Sequence, residues 1–203
     1  MSSHIVYDVS MPECLLFLRC FCRNPLQVSS VIPTSPRIAR RLASRIQHGS
    51  SVVVEYGPGT GVLARAILAS NRLSSDSIII LIEKSAKLVE HLRRTFTDPR
   101  VHVIHESAEH VEAILHQYGK KADYIFSSIP LSVMADDTID QILGSSRSVL
   151  SDTGKLIIFL FHPRVRKILL RYFSTVRTNY EIVNFPPLCI FETSKKAAFC
   201  KAA

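Results

Sequence analysis

The chain has 203 residues, 47% hydrophobic and 21% charged, and 25 Lys and Arg against 17 Asp and Glu give it a formal net charge of +8. At roughly 150 residues per domain this is one folded domain with a short extension, and the composition excludes disordered, collagen-like, coiled-coil and repeat architectures. The positive balance draws the protein towards polyanions (nucleic acid, anionic lipid or phosphorylated ligands) without choosing among them.

The elements are taken in chain order. Residues 1–10 are a loose start. Ser10-Met11-Pro12-Glu13 has the form of a capping box and opens a helix over about 12–23, apolar nearly all round except for Arg19 and Arg23, which ends at Asn24-Pro25. This apolar stretch is far short of the ~20 residues of a bilayer span, and it lacks the flanks of a signal peptide. Pro25, Pro33 and Pro36 punctuate a connector. Ser35-Pro36 starts a second helix, 36–47, with Ile38, Leu42 and Ile46 as its buried stripe and Arg37, Arg40, Arg41 and Arg45 around it.

Strand and helix then alternate. Strands are predicted at 52–54, 78–82, 101–104, 124–126 and 156–161, and helices at 62–68, 86–96, 111–118, 134–150 and 163–172. Continuous apolar strands that each precede a helix predict a parallel sheet covered on both faces. At the end, Tyr180–Val183 and Leu188–Phe191, joined across Pro186-Pro187, predict an antiparallel hairpin. The expected organisation is a helical extension (1–47), an α/β domain with a mostly parallel seven-stranded sheet (48–194) and a tail (195–203). Cys14, Cys20, Cys22, Cys189 and Cys200 form no CxxC pair and are read as reduced thiols, so the protein is expected to be cytoplasmic, with no metal.

The segment Val52-Val53-Val54-Glu55-Tyr56-Gly57-Pro58-Gly59-Thr60-Gly61 leaves the first strand of the α/β region and enters a helix. Glycines there let the backbone turn sharply and lie close to a ligand beyond the carboxyl end of the sheet. The spacing G-x-G-x-G is not the dinucleotide G-x-G-x-x-G, and no Gly-Lys-Ser/Thr follows, which excludes a phosphate-binding P-loop. Glu55 before the loop suits a cationic amino-acid moiety better than a pyrophosphate.

E-x-G-x-G-x-G after a first strand resembles the first motif of the class I S-adenosylmethionine methyltransferases. The resemblance implies a Rossmann-like fold, S-adenosyl-L-methionine as cofactor, and an aminoacyl site made by Glu55, Gly57, Gly59, Thr60 and Gly61. Glu83, with Lys84 beside it, ends the second strand where a carboxylate can accept both ribose hydroxyls. After the third strand the chain has Glu106-Ser107-Ala108 where the family often has Gly-Asp-Ala, so Ser107 or Glu106 is expected to meet the adenine amine. After the fourth come Ser127-Ser128-Ile129-Pro130-Leu131. In amino-methylating relatives a Pro-containing motif here holds the substrate nitrogen, which marks Ser128 and Pro130 as catalytic candidates and Ser127 as a cofactor contact. Leu131 replaces the aromatic ring on which a flipped base would stack.

Taken with Phe21-Cys22-Arg23-Asn24-Pro25, Val31-Ile32-Pro33-Thr34-Ser35 and Asn184-Phe185-Pro186-Pro187, these motifs resemble the bacterial phospholipid N-methyltransferases, which methylate the amine of phosphatidylethanolamine. That resemblance implies a phospholipid substrate and peripheral association with the inner face of the cell membrane through the basic N-terminal helices, with no nucleic-acid partner. It makes His162 the candidate to relay the amine proton, while Tyr56 and Tyr124 are read as packing residues. The alternatives are an RNA adenine N-methyltransferase, which the net charge favours, a small-molecule or protein amine methyltransferase, and a cofactor- or lipid-binding module without turnover.

Overall fold

The computed structural model describes residues 34–160, 165–181 and 188–195. The predicted helix 12–23, His162 and the turn Pro186-Pro187 lie outside the described residues. The described chain runs α1 (Pro36–Ala43), β1 (Ser50–Tyr56), α2 (Val62–Leu68), β2 (Leu73–Glu83), α3 (Ala86–Thr95), β3 (Val101–His105), α4 (Val111–Tyr118), β4 (Ala122–Ser127), α5 (Asp136–Val149), β5 (Leu150–Leu160), α6 (Val165–Leu169), β6 (Thr175–Glu181) and β7 (Leu188–Ser194).

The seven strands form one sheet in the order β3-β2-β1-β4-β5-β7-β6. Neighbours from β3 to β5 are parallel, and β7 is antiparallel to both β5 and β6. This is the Rossmann-like α/β fold with a terminal antiparallel hairpin that the sequence predicts. The strands are apolar on both sides because both faces are covered. On one face Val53, Leu81, Phe126 and Ile157 pack with Ile38 and Leu42 of α1 and Leu63 and Ile67 of α2. On the other, Val54, Ile80, Ile125 and Ile158 pack with Ile114 of α4, Ile142 of α5 and Leu169 of α6.

Ser35 caps α1 through its side chain, which accepts the Ile38 amide at 3.3 Å, and Pro36 occupies the first turn, where its missing N–H costs nothing. The helix stops at Ala43 rather than 47. Arg45 and Ile46 donate to Leu42 and Ala43 three residues back, and Gly49 turns the chain at φ +81° into β1. Ile46 remains fully buried, so the predicted apolar stripe persists past the helix end. Two of the four arginines face protein: Arg41 bonds the buried Glu181 at 2.5 Å and Arg45 bonds Glu192 at 3.0 Å. Lys155 meets Glu192 at 2.7 Å. Burial raises the Glu192 pKa, but the hydrogen bonds and charges of Lys155 and Arg45 outweigh it and leave the carboxyl below its ordinary value. Arg37 and Arg40 are exposed.

Five strands begin earlier than predicted, β1 and β4 by two residues and β2, β5 and β6 by five or six. Ser50 pairs Leu73 and Ala122 pairs Leu150 before a register shift in each ladder, which extends β2 and β5 through polar stretches with no apolar alternation. The Asp123 carboxylate accepts the Ser51 and Val52 amides at 2.8 and 3.1 Å and so ties the entry of β1 to β4. β6 starts at Thr175, not Tyr180; it is an edge strand, so its outward residues Arg177, Asn179 and Tyr180 are exposed. The described part of the last predicted helix ends at Leu169, where Arg171 and Tyr172 close a tighter turn onto Ile168 and Leu169. Among the described residues no helix is long and apolar enough to cross a membrane, and no group of three or more His, Cys, Asp or Glu could hold a metal ion.

Candidate active site

The order β3-β2-β1-β4 brings four loops side by side at the carboxyl edge of the sheet. Backbone bonds beyond the strand ends hold them together: Gly57 donates to Ile82 (3.0 Å), Glu106 to Glu83 (3.2 Å) and Ser128 to Tyr56 (3.4 Å). Residues separated by up to 72 positions thus form one continuous rim.

The β1 loop is the centre of that rim. Gly57, Gly59 and Gly61 have φ of +65°, +57° and +80°, a region that costs side-chain-bearing residues about 1 kcal/mol or more. The Gly61 amide closes a turn onto Pro58 at 2.9 Å before α2 begins, and Thr60 is buried. A Cβ on Gly57 would stand 3.2 Å from Ile129 Cγ2, so this glycine also lets the β4 loop lie against the β1 loop. Ser128 Oγ donates to the Gly57 carbonyl at 3.0 Å.

Two carboxylates stand below the rim. Glu55 is 2% exposed and its Oε2 has no hydrogen-bond partner. Burial, and secondarily the charge of Glu83, push its pKa up to about 8. Glu83 is also buried. Desolvation raises its pKa, opposed by the amides of Ser85, Gly59 and Lys84, and Oε1 accepts the Ser85 amide at 2.8 Å. Of these two buried acids Glu83 has amide donors, whereas Glu55 Oε2 has neither a positive charge nor a hydrogen-bond donor against it among the described residues.

On the β3 side the turn is knotted by its own side chains. Glu106 Oε1 accepts the Ser107 amide at 2.7 Å and pairs with His110 Nδ1 at 3.0 Å. Ser107 caps the short 3₁₀ turn Ala108–His110 and donates its hydroxyl to Glu109 Oε1 at 2.6 Å. Lys84 Nζ reaches the same oxygen at 3.4 Å. Ala108 is buried beneath the turn. On the β4 side, Ser127 is 1% exposed and its hydroxyl has no partner. Pro130, at φ −81° and ψ 63°, is the centre of an inverse γ-turn closed by Leu131 N to Ile129 O at 2.9 Å. Leu131 points into the core at 1% exposure, and Val133 stands out at 63%.

Every candidate site residue within the described chain lies on this edge. Tyr56 and Tyr124 are buried: Tyr56 OH meets Ser146 Oγ at 3.0 Å, and Tyr124 OH accepts the Gln47 amide at 3.1 Å. Sequence reading missed Glu109, for which the pattern Ser-Ala-Glu, a capping residue with an acid two places on, was an available signal. It also missed Phe96, whose ring closes on Gly61 from the far end of α3, a contact with no sequence signal.

The buried carboxylates and the glycine turn fit a cationic amino-acid group on a ribonucleoside: Glu55 would face the cation and Glu83 the diol, with the loop backbone close by. The methyltransferase small domain profile matches residues 37–185. Among solved structures, a methyltransferase from Geobacter sulfurreducens is 18% identical over 93% of this chain and 91% of that one, with a TM-score of 0.61. An rRNA-methylase from Clostridium thermocellum, so described provisionally, is 13% identical over 82% and 99%, with a TM-score of 0.60. A glycopeptide N-methyltransferase complexed with S-adenosylhomocysteine is 14% identical over 77% and 88%, with a TM-score of 0.63. No curated protein matches the sequence. The glycine turn, the two buried carboxylates and the profile match lead to one conclusion: the chain belongs to the methyltransferase small domain family and is a class I methyltransferase whose cofactor is S-adenosylmethionine.

Proposed function

We propose that the protein N-methylates the amine of an aminophospholipid, phosphatidylethanolamine or its partly methylated forms, at a membrane surface. The observation that carries this reading is the acceptor loop. Between Ser128 and Val133 it has no aromatic side chain, and Leu131 is turned into the core, so this loop offers a flipped base no stacking surface. The loop presents instead a hydroxyl, a proline turn and the exposed Val133, which suit a small amine on an apolar stem. The sequence resemblance to phospholipid N-methyltransferases supports the same acceptor.

The bound cofactor supplies an activated sulfonium methyl, so the protein's part is largely positioning. Glu55 and Glu83 hold the aminoacyl and ribose groups. The Ser128 hydroxyl, which donates to the Gly57 carbonyl, is the polar group that meets an N–H of the substrate amine as an acceptor. The amine must be neutral to attack, and an apolar loop mouth lowers the proton affinity of an alkylamine by desolvation. His162 is the proposed relay for that proton.

Ser128→Ala is expected to lower turnover by about tenfold. The lost tether to Gly57 contributes about 1 kcal/mol, so cofactor Kd rises by less than about fivefold. Steady-state kinetics beside calorimetric cofactor binding read the two effects separately, and unchanged turnover removes Ser128 from the acceptor site. The substrate class is tested with methyl-labelled S-adenosylmethionine, phosphatidylethanolamine vesicles containing anionic lipid, and total RNA in one reaction. Label in the organic phase supports the lipid reading. Label in RNA transfers the acceptor to the reading that the +8 charge favours, and label in neither phase excludes both.

A further inference from the structure

The Ser107–Glu109–Lys84 chain has a chemical consequence for the cofactor site. A hydroxyl is both donor and acceptor and is indifferent to its partner until something fixes its proton. Here the proton is fixed. Ser107 Oγ lies 2.6 Å from Glu109 Oε1, within the short range of a charge-assisted bond, and Lys84 Nζ stands 3.4 Å from the same oxygen. Glu109 is held below its ordinary pKa, first by the Ser107 hydroxyl and then by the Lys84 charge, so it stays ionised and remains an acceptor. Among the described residues, the only other contact on the Ser107 oxygen is a long 3.4 Å approach from the Glu109 amide, which leaves a lone pair for a ligand.

The position of this oxygen follows from the sheet. The acceptor loop lies beyond β4, so the reacting methyl belongs between β1 and β4. Glu83, the diol-binding acid, ends β2, and Glu106 is bonded to its carbonyl from the next strand over. The base therefore extends away from the reacting centre, over the β3 turn that carries Ser107.

Ser107 stands where the family resemblance puts the contact to the cofactor's adenine amine, and we propose that Glu109, braced by Lys84, is the positioning residue that makes the Ser107 hydroxyl an acceptor there and not a donor. This rests on the cofactor placement given above. A base with a carbonyl in place of that amine would set oxygen against oxygen, and Ser107 could answer only by leaving Glu109. Glu109 thus confers selectivity without touching the base.

The test is calorimetric titration of the full chain with S-adenosylhomocysteine and with its deaminated form, S-inosylhomocysteine. The wild-type protein is expected to prefer the adenine form by at least about tenfold, since a site built for one hydrogen-bond polarity rejects the other. In Glu109→Ala the Ser107 hydroxyl is released to turn. Affinity for the inosine form should then rise and the preference fall to about twofold, a gain that misfolding cannot mimic. Ser107→Ala should weaken the adenine form severalfold and leave the inosine form no weaker. Glu109→Gln, which keeps a neutral acceptor, should retain an intermediate preference. An unchanged preference in Glu109→Ala overturns the inference and leaves the cofactor site intact. Failure of the wild-type protein to bind either ligand overturns the cofactor placement and the inference together.

Discussion

Glu55→Gln is expected to abolish the pH dependence of cofactor binding, weaken that binding by at least tenfold at pH 8.5, and stabilise the ligand-free protein. The wild-type carboxyl has a pKa near 8 because it is buried beside Glu83 with an unpartnered oxygen, so at neutral pH it is mostly protonated. A cationic ligand favours the ionised form. Cofactor affinity should therefore rise by up to tenfold per unit as pH climbs from about 6 to 8, and level off above. The sign for stability is opposite. The folded pKa lies above the unfolded value of 4.5, so the folded state holds a proton that the unfolded state has released. Stability contributed by the neutral acid is complete below about pH 4.5, is lost as pH rises through 8, and then stays constant. Gln removes that loss, so the gain in Tm should be largest at pH 8 and above and vanish near pH 4.5. Melting curves and calorimetry across pH 5–9 check both effects. Wild-type affinity in Glu55→Gln would falsify the assignment of Glu55 to the cationic end of the cofactor.

The second large effect is expected from Gly61→Ala. Gly61 sits at φ +80°, and a Cβ there would meet Phe96 at 2.5 and 2.7 Å and Leu92 Cδ2 at 3.0 Å. Phe96 is half-buried with the Arg65 guanidinium 5.9 Å from its ring centroid, and the ring must shift off this contact to admit a Cβ. Backbone strain of about 1 kcal/mol adds to an overpacking cost of about 1–3 kcal/mol. Urea unfolding should thus show a loss of about 2–4 kcal/mol, with cofactor binding impaired because the loop cannot close. In a Phe96→Ala background the clash with the ring is gone and the strain remains, so the same substitution should cost only about 1 kcal/mol. Equal costs in both backgrounds would show that the ring contact is not the source.

Much of the architecture was written locally. Apolar strands such as Ile78–Ile82 and Leu156–Leu160, each followed by an amphipathic or apolar helix, are one-dimensional patterns, and burial on two faces of a parallel sheet is what they require. The misjudged boundaries share a cause. The polar starts of β2 and β5 are strands only because Ser50 and Ala122 pair with them, and β6 is polar because it lies at an edge. Neither pairing nor edge position is recorded in the local residues. The turn after the α1 helix is another such case: Ile46 keeps the helical spacing while the backbone has left the helix.

The candidate site divides along the same line. Glycines at 57, 59 and 61, with an acid before them and another at the end of the next strand, determine by themselves the kind of ligand accepted, because backbone freedom and charge are properties of residue type. The sheet order decided which loops meet. It placed Ser128 on the Gly57 carbonyl, Glu83 beside Glu55, and Phe96 against Gly61, contacts that span from 28 to 71 positions of chain. It also decided proton positions: burial keeps Glu55 neutral near pH 7, and Glu109, beside Lys84, accepts the Ser107 hydroxyl proton in a hydrogen bond. Residue types are written in the sequence, but desolvation and hydrogen-bond polarity arise only when distant segments exclude water from one another.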